Sequence, residues 1–203
     1  MSDSPDRDST GIVLAGGRSV RFGRDKLTEP FGERPLLHHP ILALAAVCDE
    51  LVVVLAPDVE APPMPTGVDV TVARDAEPDR GPLAGLAAGL AVATNEVSVV
   101  VGGDMPGLQQ DVLREMVRAC RETGALAVAL SDGGRERPLP IVVRTAPARD
   151  VAGRLLAGER RRLRDLLAEV RTVAIDEPTW TALDPERRTL VDVDEPADLE
   201  DGR

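Results

Sequence analysis

The stretch that decides the fold is Gly-Ile-Val-Leu-Ala-Gly-Gly, residues 11–17, near the start of a chain of 203 residues. Its apolar run is short and continuous and ends in paired glycines, which is typical of a buried strand that runs into a loop. Two further runs of this kind lie at residues 51–55 and 96–101. Because strands of a parallel sheet are buried on both faces, these runs indicate a sheet covered by helices on both sides.

Segments with apolar residues at helical spacing separate these strands. The spacing predicts helices at residues 35–47, 82–93, 109–122, 147–156 and 162–170, and a last short helix from Pro196. Further strands are predicted at residues 68–73, 125–130, 139–144, 171–175 and 189–193, and loops at residues 57–67 and 177–188. This alternation over short links predicts an α/β fold with a mostly parallel central sheet.

The length of the chain favours one domain, because 203 residues can bury a single sizeable core and no linker divides them. We expect residues 11–200 to form that domain. Residues 1–10 are polar and acidic, so we expect them to form a disordered N-terminal tail.

The composition excludes several classes of protein. The formal net charge is −11, which is the wrong sign for binding a nucleic-acid backbone. Phe22, Phe31 and Trp180 are the only aromatic residues, so platforms for stacking bases are lacking. No apolar run has the length needed to cross a bilayer, and no secretory signal opens the chain. We therefore expect a cytoplasmic protein whose partners include neither nucleic acid nor membrane.

The loop after the first strand reverses this negative charge locally. Four cations follow the paired glycines within nine residues: Arg18, Arg21, Arg24 and Lys26. Glycines allow backbone N–H groups to approach a phosphate closely, so the loop is a candidate site for an anionic ligand. A glycine turn followed by a solvated basic loop is the alternative. The spacing matches neither the dinucleotide-binding fingerprint nor the P-loop.

Two aspartates follow predicted strands. Asp104 ends the run at residues 99–104 and precedes Met-Pro. Ligands of open α/β sheets bind beyond the carboxyl ends of the strands, and Mg²⁺ prefers one or two carboxylates with water and phosphate oxygens. Asp104 is therefore a candidate magnesium ligand, with capping of the helix near Gln109 as the alternative. Asp194 either caps the helix that Pro196 opens or reaches the same metal ion.

Residues 14–26 resemble the signature of the molybdenum cofactor guanylyltransferase family. Further segments resemble that family in the same order along the chain: Gly-Pro-Leu-Ala-Gly at 81–85, Asp-Met-Pro at 104–106, Arg-Pro-Leu-Pro at 137–140, Ala-Gly-Glu-Arg-Arg at 157–161 and Asp-Val-Asp-Glu-Pro-Ala-Asp-Leu at 192–199. The resemblance implies a Rossmann-like, three-layer α/β/α nucleotidyltransferase fold. It also implies transfer of GMP from GTP to molybdopterin, with Mg²⁺ as cofactor and pyrophosphate as the second product.

The resemblance also implies roles for individual residues. Catalysis is expected of Lys26, Arg21 and Asp104, and metal binding of Asp104 with Asp194 as a second ligand. The expected partners are GTP, molybdopterin or Mo-molybdopterin, and proteins that mature molybdoenzymes. The nucleotide is expected to contact Leu14, Ala15, Gly16, Gly17, Arg18, Lys26, Asp75, Gly81, Pro82, Leu83 and Gly85.

Two departures from the family pattern bear on the base. The family has Asn-x-Asn-Thr-Pro near its C-terminus, where this chain has Asp192 and Asp194 before Glu-Pro. Related cytidylyltransferases carry Asp at that place. The family asparagine after the second strand corresponds to Leu55 or Ala56 here, which removes a polar contact to the nucleotide. A CTP-dependent molybdopterin cytidylyltransferase and a non-catalytic nucleotide- or cofactor-binding domain are therefore the alternative hypotheses.

Overall fold

A seven-stranded sheet forms the centre of the computed structural model, which describes residues 8–16, 26–75 and 81–199. The strands, including a separate hairpin of β2 and β3, are β1 Ser9–Leu14, β2 Pro30–Phe31, β3 Arg34–Pro35, β4 Glu50–Leu55, β5 Thr71–Arg74, β6 Val97–Gly102, β7 Ala127–Asp132, β8 Arg135–Arg144 and β9 Thr172–Ile175. The sheet order is β5-β4-β1-β6-β8-β7-β9. Only β8 runs antiparallel to its neighbours, so the prediction of a mostly parallel sheet is confirmed.

Helices cover both faces of the sheet. They are α1 His38–Ala45, α2 Pro82–Val92, α3 Gln110–Thr123, α4 Thr145–Ala157, α5 Leu163–Glu169 and α6 Glu177–Leu183. Side chains of α1, α3 and α6 pack in one apolar core, and those of α2, α4 and α5 pack in the other. The three-layer α/β/α prediction is confirmed. None of these helices combines the length and the apolar character that crossing a membrane requires.

The two cores share the strands between them. Val13 and Val53 enter the core under α1 and α3, whereas Ile12 and Val52 enter the core under α2 and α4. All four side chains are at most 1% exposed. Consecutive residues of a strand point to opposite faces, so only a run that is apolar at every position can fill both cores.

Helix α2 lies unusually close to the sheet. A Cβ atom on Gly89 would lie 2.7 Å from Cγ2 of Ile12, and one on Gly85 would lie 3.6 Å from Cδ2 of Leu14. The small residues therefore let the helix backbone rest on β1. Strand β5 points the same way as β1, and α2 begins just after the carboxyl end of β5. The contact with β1 therefore holds the first turn of α2 at the carboxyl end of β1.

The predicted loop at residues 177–188 is wrong, because it contains α6. Asp176 caps this helix by accepting a hydrogen bond from the N–H of Thr179 at 3.0 Å. Trp180, which we expected in a loop, is fully buried and donates its Nε1–H to the carbonyl of Ser131 at 2.9 Å. A single aromatic anchor thus fixes a helix whose other residues carry little apolar periodicity.

The predicted strand at residues 189–193 is also wrong. Residues Arg188–Leu190 form a short 3₁₀ helix instead. The buried carboxylate of Asp184 accepts the N–H groups of Arg188 at 3.1 Å and Thr189 at 2.7 Å. Because a side chain satisfies these donors, the segment needs no neighbouring strand.

The first predicted helix begins three residues late, at His38, because Arg34–Pro35 pairs with Pro30–Phe31 in the hairpin. Both histidines at its start donate to backbone carbonyls: Nε2 of His38 to Pro63 at 2.8 Å and Nε2 of His39 to Phe31 at 2.9 Å. These contacts agree with a structural role for the pair.

Replacing Trp180 with Ala is expected to lower the free energy of unfolding by about 3–5 kcal/mol, because it empties a filled core position. Urea unfolding followed by far-ultraviolet circular dichroism measures this loss, since the chain has no other tryptophan to report fluorescence. Leu183 lies on the same helix and is 40% exposed, so Leu183→Ala is the matched control. Equal stability of the two variants would contradict an anchoring role for Trp180.

Candidate functional site

The carboxyl ends of β1 and β6 meet at one edge of the sheet. Leu14 pairs with Gly102 at the end of the parallel ladder, and the N–H of Gly103 donates to the carbonyl of Leu14 at 2.9 Å. On the other side, the N–H of Ala15 donates to the carbonyl of Val54 at 2.8 Å. The loops that leave these strands are thereby held side by side where α/β sheets bind their ligands.

An ion pair joins the two loops. Nζ of Lys26 lies 2.8 Å from Oδ2 of Asp104 and 2.8 Å from the carbonyl oxygen of Val193. The N–H of Val193 in turn donates to the carbonyl of Asp104 at 2.9 Å. Three segments far apart in sequence therefore converge on one ammonium group. The side chains of Lys26 and Asp104 are 15% and 30% exposed, so a ligand can still reach both charges.

The conformation of Asp104 depends on the glycine two residues before it. A Cβ atom on Gly102 would lie 2.5 Å from Oδ1 of Asp104 and 3.2 Å from Cγ of Met105. The Asp104 carboxylate folds back over this glycine, and the buried Met105 side chain closes the turn from below. Because Thr189 Oγ1, and not Asp104, accepts the N–H of Gln109 at 3.2 Å, the helix-cap alternative for Asp104 is wrong.

Asp104 is one of several carboxylates in this region. Although Asp192 is exposed as a residue, the protein atoms around its carboxyl raise its pKa to about 6. The negative charges of Asp104 and Asp194 raise this pKa further, and the positive charges of Arg137 and Lys26 lower it. These four charged groups are therefore near enough to the Asp192 carboxyl to influence its protonation.

This donor set fits a divalent cation that is held by few protein ligands. Carboxylates suit Mg²⁺, and a cation would relieve the repulsion felt at Asp192. Within the described residues, however, no three His, Cys, Asp or Glu side chains are arranged to hold one ion together. The remaining ligands would have to come from water or from a substrate, which is the usual coordination of Mg²⁺.

Asp194 does not cap the last helical turn. Its own N–H and that of Glu195 both donate to the Asp198 carboxylate at 2.8 Å. Asp198 is therefore the residue that satisfies the free donors of this turn. No hydrogen bond to the Asp194 carboxylate is found in the described part of the chain, so this side chain keeps both oxygens for another partner.

Several residues predicted to contact a nucleotide lie at the same edge. The N–H of Asp75 donates to the carbonyl of Leu55 at 3.0 Å, which places Asp75 directly beyond β5. A Cβ atom on Gly16 would lie 3.2 Å from the backbone nitrogen of Ala56, so the chain after β1 runs against the end of β4. Leu14 and Ala15, which precede Gly16, hydrogen-bond through their backbones to Gly103 and Val54 at this edge. The structure thus brings these four predicted residues together.

The Gly-Pro-Leu-Ala-Gly segment begins α2 beside them. Gly81 has a φ of +82°, and a Cβ atom there would lie 2.8 Å from the carbonyl oxygen of Arg161. The N–H of Leu83 donates to this same carbonyl at 3.2 Å. The basic run at residues 160–162 is exposed, and its Arg161 carbonyl contacts the beginning of α2. The predicted residues Gly17, Arg18 and Arg21 lie outside the described residues.

The sequence analysis missed two contributors to this site, Asp192 and the carbonyl of Val193. Asp192 stands two residues before Asp194, and alternate residues of an extended segment point the same way, so the Asp-x-Asp spacing carried that signal. Nothing in the sequence identifies the Val193 carbonyl, because any residue could supply it.

Comparisons with known proteins show which family this chain is similar to. The model of the family described as the MobA-like NTP transferase domain matches residues 11–174. A probable molybdenum cofactor guanylyltransferase of Mycobacterium avium (strain 104) is 34% identical over 98% of this chain and 96% of its own length. A protein of the same description from Mycobacterium ulcerans (strain Agy99) is 36% identical over 74% of this chain and 75% of its own.

A solved structure supports the fold. The crystal structure of molybdopterin-guanine dinucleotide biosynthesis protein A from Archaeoglobus fulgidus matches with a TM-score of 0.78 and 20% identity. The match covers 95% of this chain and 96% of that one.

Replacing Gly102 with Ala is expected to slow nucleotidyl transfer by about 10- to 100-fold, because the new methyl group displaces the Asp104 carboxylate by ångström distances. Initial rates of pyrophosphate release measure the effect, and melting temperatures verify folding. Gly153→Ala is the matched control, since a Cβ atom there meets nothing within 4 Å. Full activity in Gly102→Ala would show that the position of this carboxylate does not matter.

Proposed function

The chain belongs to the family of MobA-like NTP transferase domains, and we propose that it transfers GMP from GTP to the phosphate of molybdopterin and releases pyrophosphate. The proposal extends to this chain the activity for which its relatives are named, at 34% and 36% identity over most of its length. A nucleotidyltransferase needs a basic group and a metal-binding carboxylate within reach of one triphosphate. The observation that carries the proposal is the contact of Lys26 with Asp104 at the carboxyl edge of the sheet.

The nucleotide is proposed to lie over the end of β1 and the start of α2, in contact with Leu14, Ala15, Gly16, Gly17, Arg18, Asp75, Gly81, Pro82, Leu83 and Gly85. Close packing supports this placement, because Gly16 and Gly81 leave backbone where a side chain would collide with the neighbouring segment. This packing fixes the end of β1 against β4 and the start of α2 against Arg161, and these segments form the edge where the nucleotide is proposed to lie.

Lys26 and Asp104 are proposed to have different roles at the triphosphate. The Lys26 ammonium lies 2.8 Å from the Asp104 carboxylate, and its positive charge is proposed to attract the phosphate oxygens of the nucleotide. Arg21 is proposed to add a second positive charge. Together they would stabilise the charge that grows on the leaving pyrophosphate while the acceptor phosphate attacks in line.

Asp104 is also proposed to bind the metal ion, with Asp194 as a second ligand. Mg²⁺ is the proposed ion, and when bound it would supply positive charge that neutralises the triphosphate. The free Asp194 oxygens and the carboxylate repulsion at Asp192 support this choice. The proposal includes a cytoplasmic location and, as further partners, proteins that mature molybdoenzymes.

The base of the nucleotide has one competing assignment. Leu55 is buried in β4 and Ala56 follows it, so the polar contact that the guanylyl family makes after its second strand is missing. Asp194 stands where cytidylyltransferases also carry Asp. These two departures from the guanylyl pattern make CTP the competing nucleotide.

We expect pyrophosphate release with GTP, and not with CTP, ATP or UTP, when Mg²⁺ and molybdopterin are supplied. Asp104→Asn is expected to lower the GTP rate by about three orders of magnitude, because the charge that anchors the metal is lost. Asp150→Asn, an exposed change on α4, is the control and should keep the full rate. Release with CTP alone would replace the guanylyl assignment, and release with none would favour a non-catalytic binding domain.

We expect Asp194→Asn to keep the turnover within about tenfold of the parent, because the amide retains one oxygen for the metal. The apparent affinity for Mg²⁺ is expected to fall, since a neutral oxygen is a weaker ligand than a carboxylate. A magnesium titration of the initial rate measures both values. An unchanged titration curve would remove Asp194 from the metal site.

A further inference from the structure

Arg137 lies on the far side of Asp104 from the proposed nucleotide site. In the antiparallel ladder of β6 and β8, Val97 pairs with Arg144 and Val100 with Ile141. Because β8 runs antiparallel to β6, the residues of β8 that precede Ile141, Arg137 among them, lie towards the carboxyl end of β6, which Asp104 follows. Apart from Lys26, the described residues proposed to contact the nucleotide lie at the ends of β1 and β5 and at the start of α2, whereas β8 is on the opposite side of β6 from these strands.

Arg137 keeps its hydrogen-bonding capacity unused. Its Nη1 lies 3.6 Å from Oδ2 of Asp132, which is an ion pair without a hydrogen bond. Its Nε is buried and has no acceptor, and no hydrogen bond from its other nitrogens is found in the part of the chain described. A buried N–H without a partner costs about 1–3 kcal/mol, so such a group calls for an explanation.

The neighbouring Arg187 shows why Arg137 is left without acceptors. Arg187 donates to Asp132 and to Glu177, and its guanidinium also stacks 4.9 Å from the centre of the Trp180 ring. Asp132 is therefore already hydrogen-bonded to a different arginine. Arg137 is held close to this carboxylate by charge, while the side chain stays 37% exposed beside the site.

We propose that Arg137 binds the phosphate monoester of the acceptor substrate, on the side of Asp104 opposite the nucleotide. A guanidinium offers two parallel N–H donors to a phosphate, and the Nε–Nη2 edge is the pair that Asp132 does not face. A small rotation of the side chain would present this edge and would give the buried Nε–H its missing acceptor. The inference deepens the proposed function and rests on it.

The chemistry of the transfer requires a cation in this position. An oxygen of the acceptor phosphate forms a bond to the α-phosphorus, the bond from that phosphorus to the bridging oxygen breaks, and pyrophosphate leaves with the electron pair. Attack is in line, so the acceptor phosphate and the pyrophosphate lie on opposite sides of the α-phosphorus. Lys26 serves the leaving group, and a second cation is needed to hold an anionic nucleophile beside Asp104, Asp192 and Asp194.

The first test separates the acceptor from the nucleotide by kinetics. For Arg137→Gln we expect the KM for molybdopterin to rise by about 10- to 100-fold, the usual effect of losing charge-assisted hydrogen bonds, with the KM for GTP unchanged. Arg137→Lys keeps the charge without the paired donors and should fall in between. Arg149→Gln removes one exposed charge on α4, away from this edge of the sheet, and should behave as the parent. A rise in the KM for GTP instead would overturn the proposal.

The second test needs no turnover. With Mg²⁺ and a non-hydrolysable GTP analogue at saturation, inorganic phosphate is the probe, and its effect on the melting temperature is measured. We expect phosphate to stabilise the parent and Arg149→Gln but not Arg137→Gln. Equal stabilisation of all three proteins, or none in the parent, would overturn the proposal. If phosphate binding depends on Arg137 while molybdopterin gives no turnover with any triphosphate, the inference stands and the proposed acceptor fails.

Discussion

The carboxyl edge of the sheet depends on the ion pair between Lys26 and Asp104, residues 78 positions apart in sequence. An isolated pair of this kind contributes little at a surface, where water screens both charges and the flexible side chains lose entropy. Here the residue after Lys26 restricts the position of the lysine. Leu27 is buried against Gly103, and its carbonyl accepts a hydrogen bond from the N–H of Leu37 at 3.0 Å. The ammonium is thus held at the end of β6 by packing on its neighbour, and the charges are already in place when a substrate arrives.

The same pair accounts for the route of the C-terminal segment. Nζ of Lys26 donates to the Val193 carbonyl, and the N–H of Val193 donates to the carbonyl of Asp104. Residues after α6 are drawn across the ends of β6 and β8, with Asp184 and Thr189 fixing the start of that path. Asp192 and Asp194 come to the site by this route. This route brings acidic side chains to the edge of the sheet where a metal ion is proposed to bind.

The sequence predicted an element correctly where burial requires a regular pattern of apolar residues. β1, β4 and β6 could be predicted because strands buried on both faces must be apolar at every position, and Asp104 stood out because it ends such a run. The sequence did not predict an element whose position depends on a single side chain and not on a repeated apolar pattern. Helix α6 depends on Trp180, and the path of residues 188–190 depends on Asp184, so neither leaves a period to detect. A backbone carbonyl such as that of Val193 leaves no trace in sequence at all, since its role comes only from where the chain passes.

Because β8 runs antiparallel to β6 and β7, the two sides of this sheet edge carry different kinds of residue. Parallel strands bring their carboxyl ends to the site, and these ends carry glycines and backbone donors that suit a nucleotide. Because β8 runs the other way, it brings its first residues to the same edge, and the β7–β8 hairpin therefore carries Asp132 and Arg137 to a place that no parallel strand could fill. Arg187 then hydrogen-bonds the Asp132 carboxylate, and the buried Nε of Arg137 is left without an acceptor. One antiparallel strand in an otherwise parallel sheet thus separates the side that suits the triphosphate from a side that suits a second phosphate.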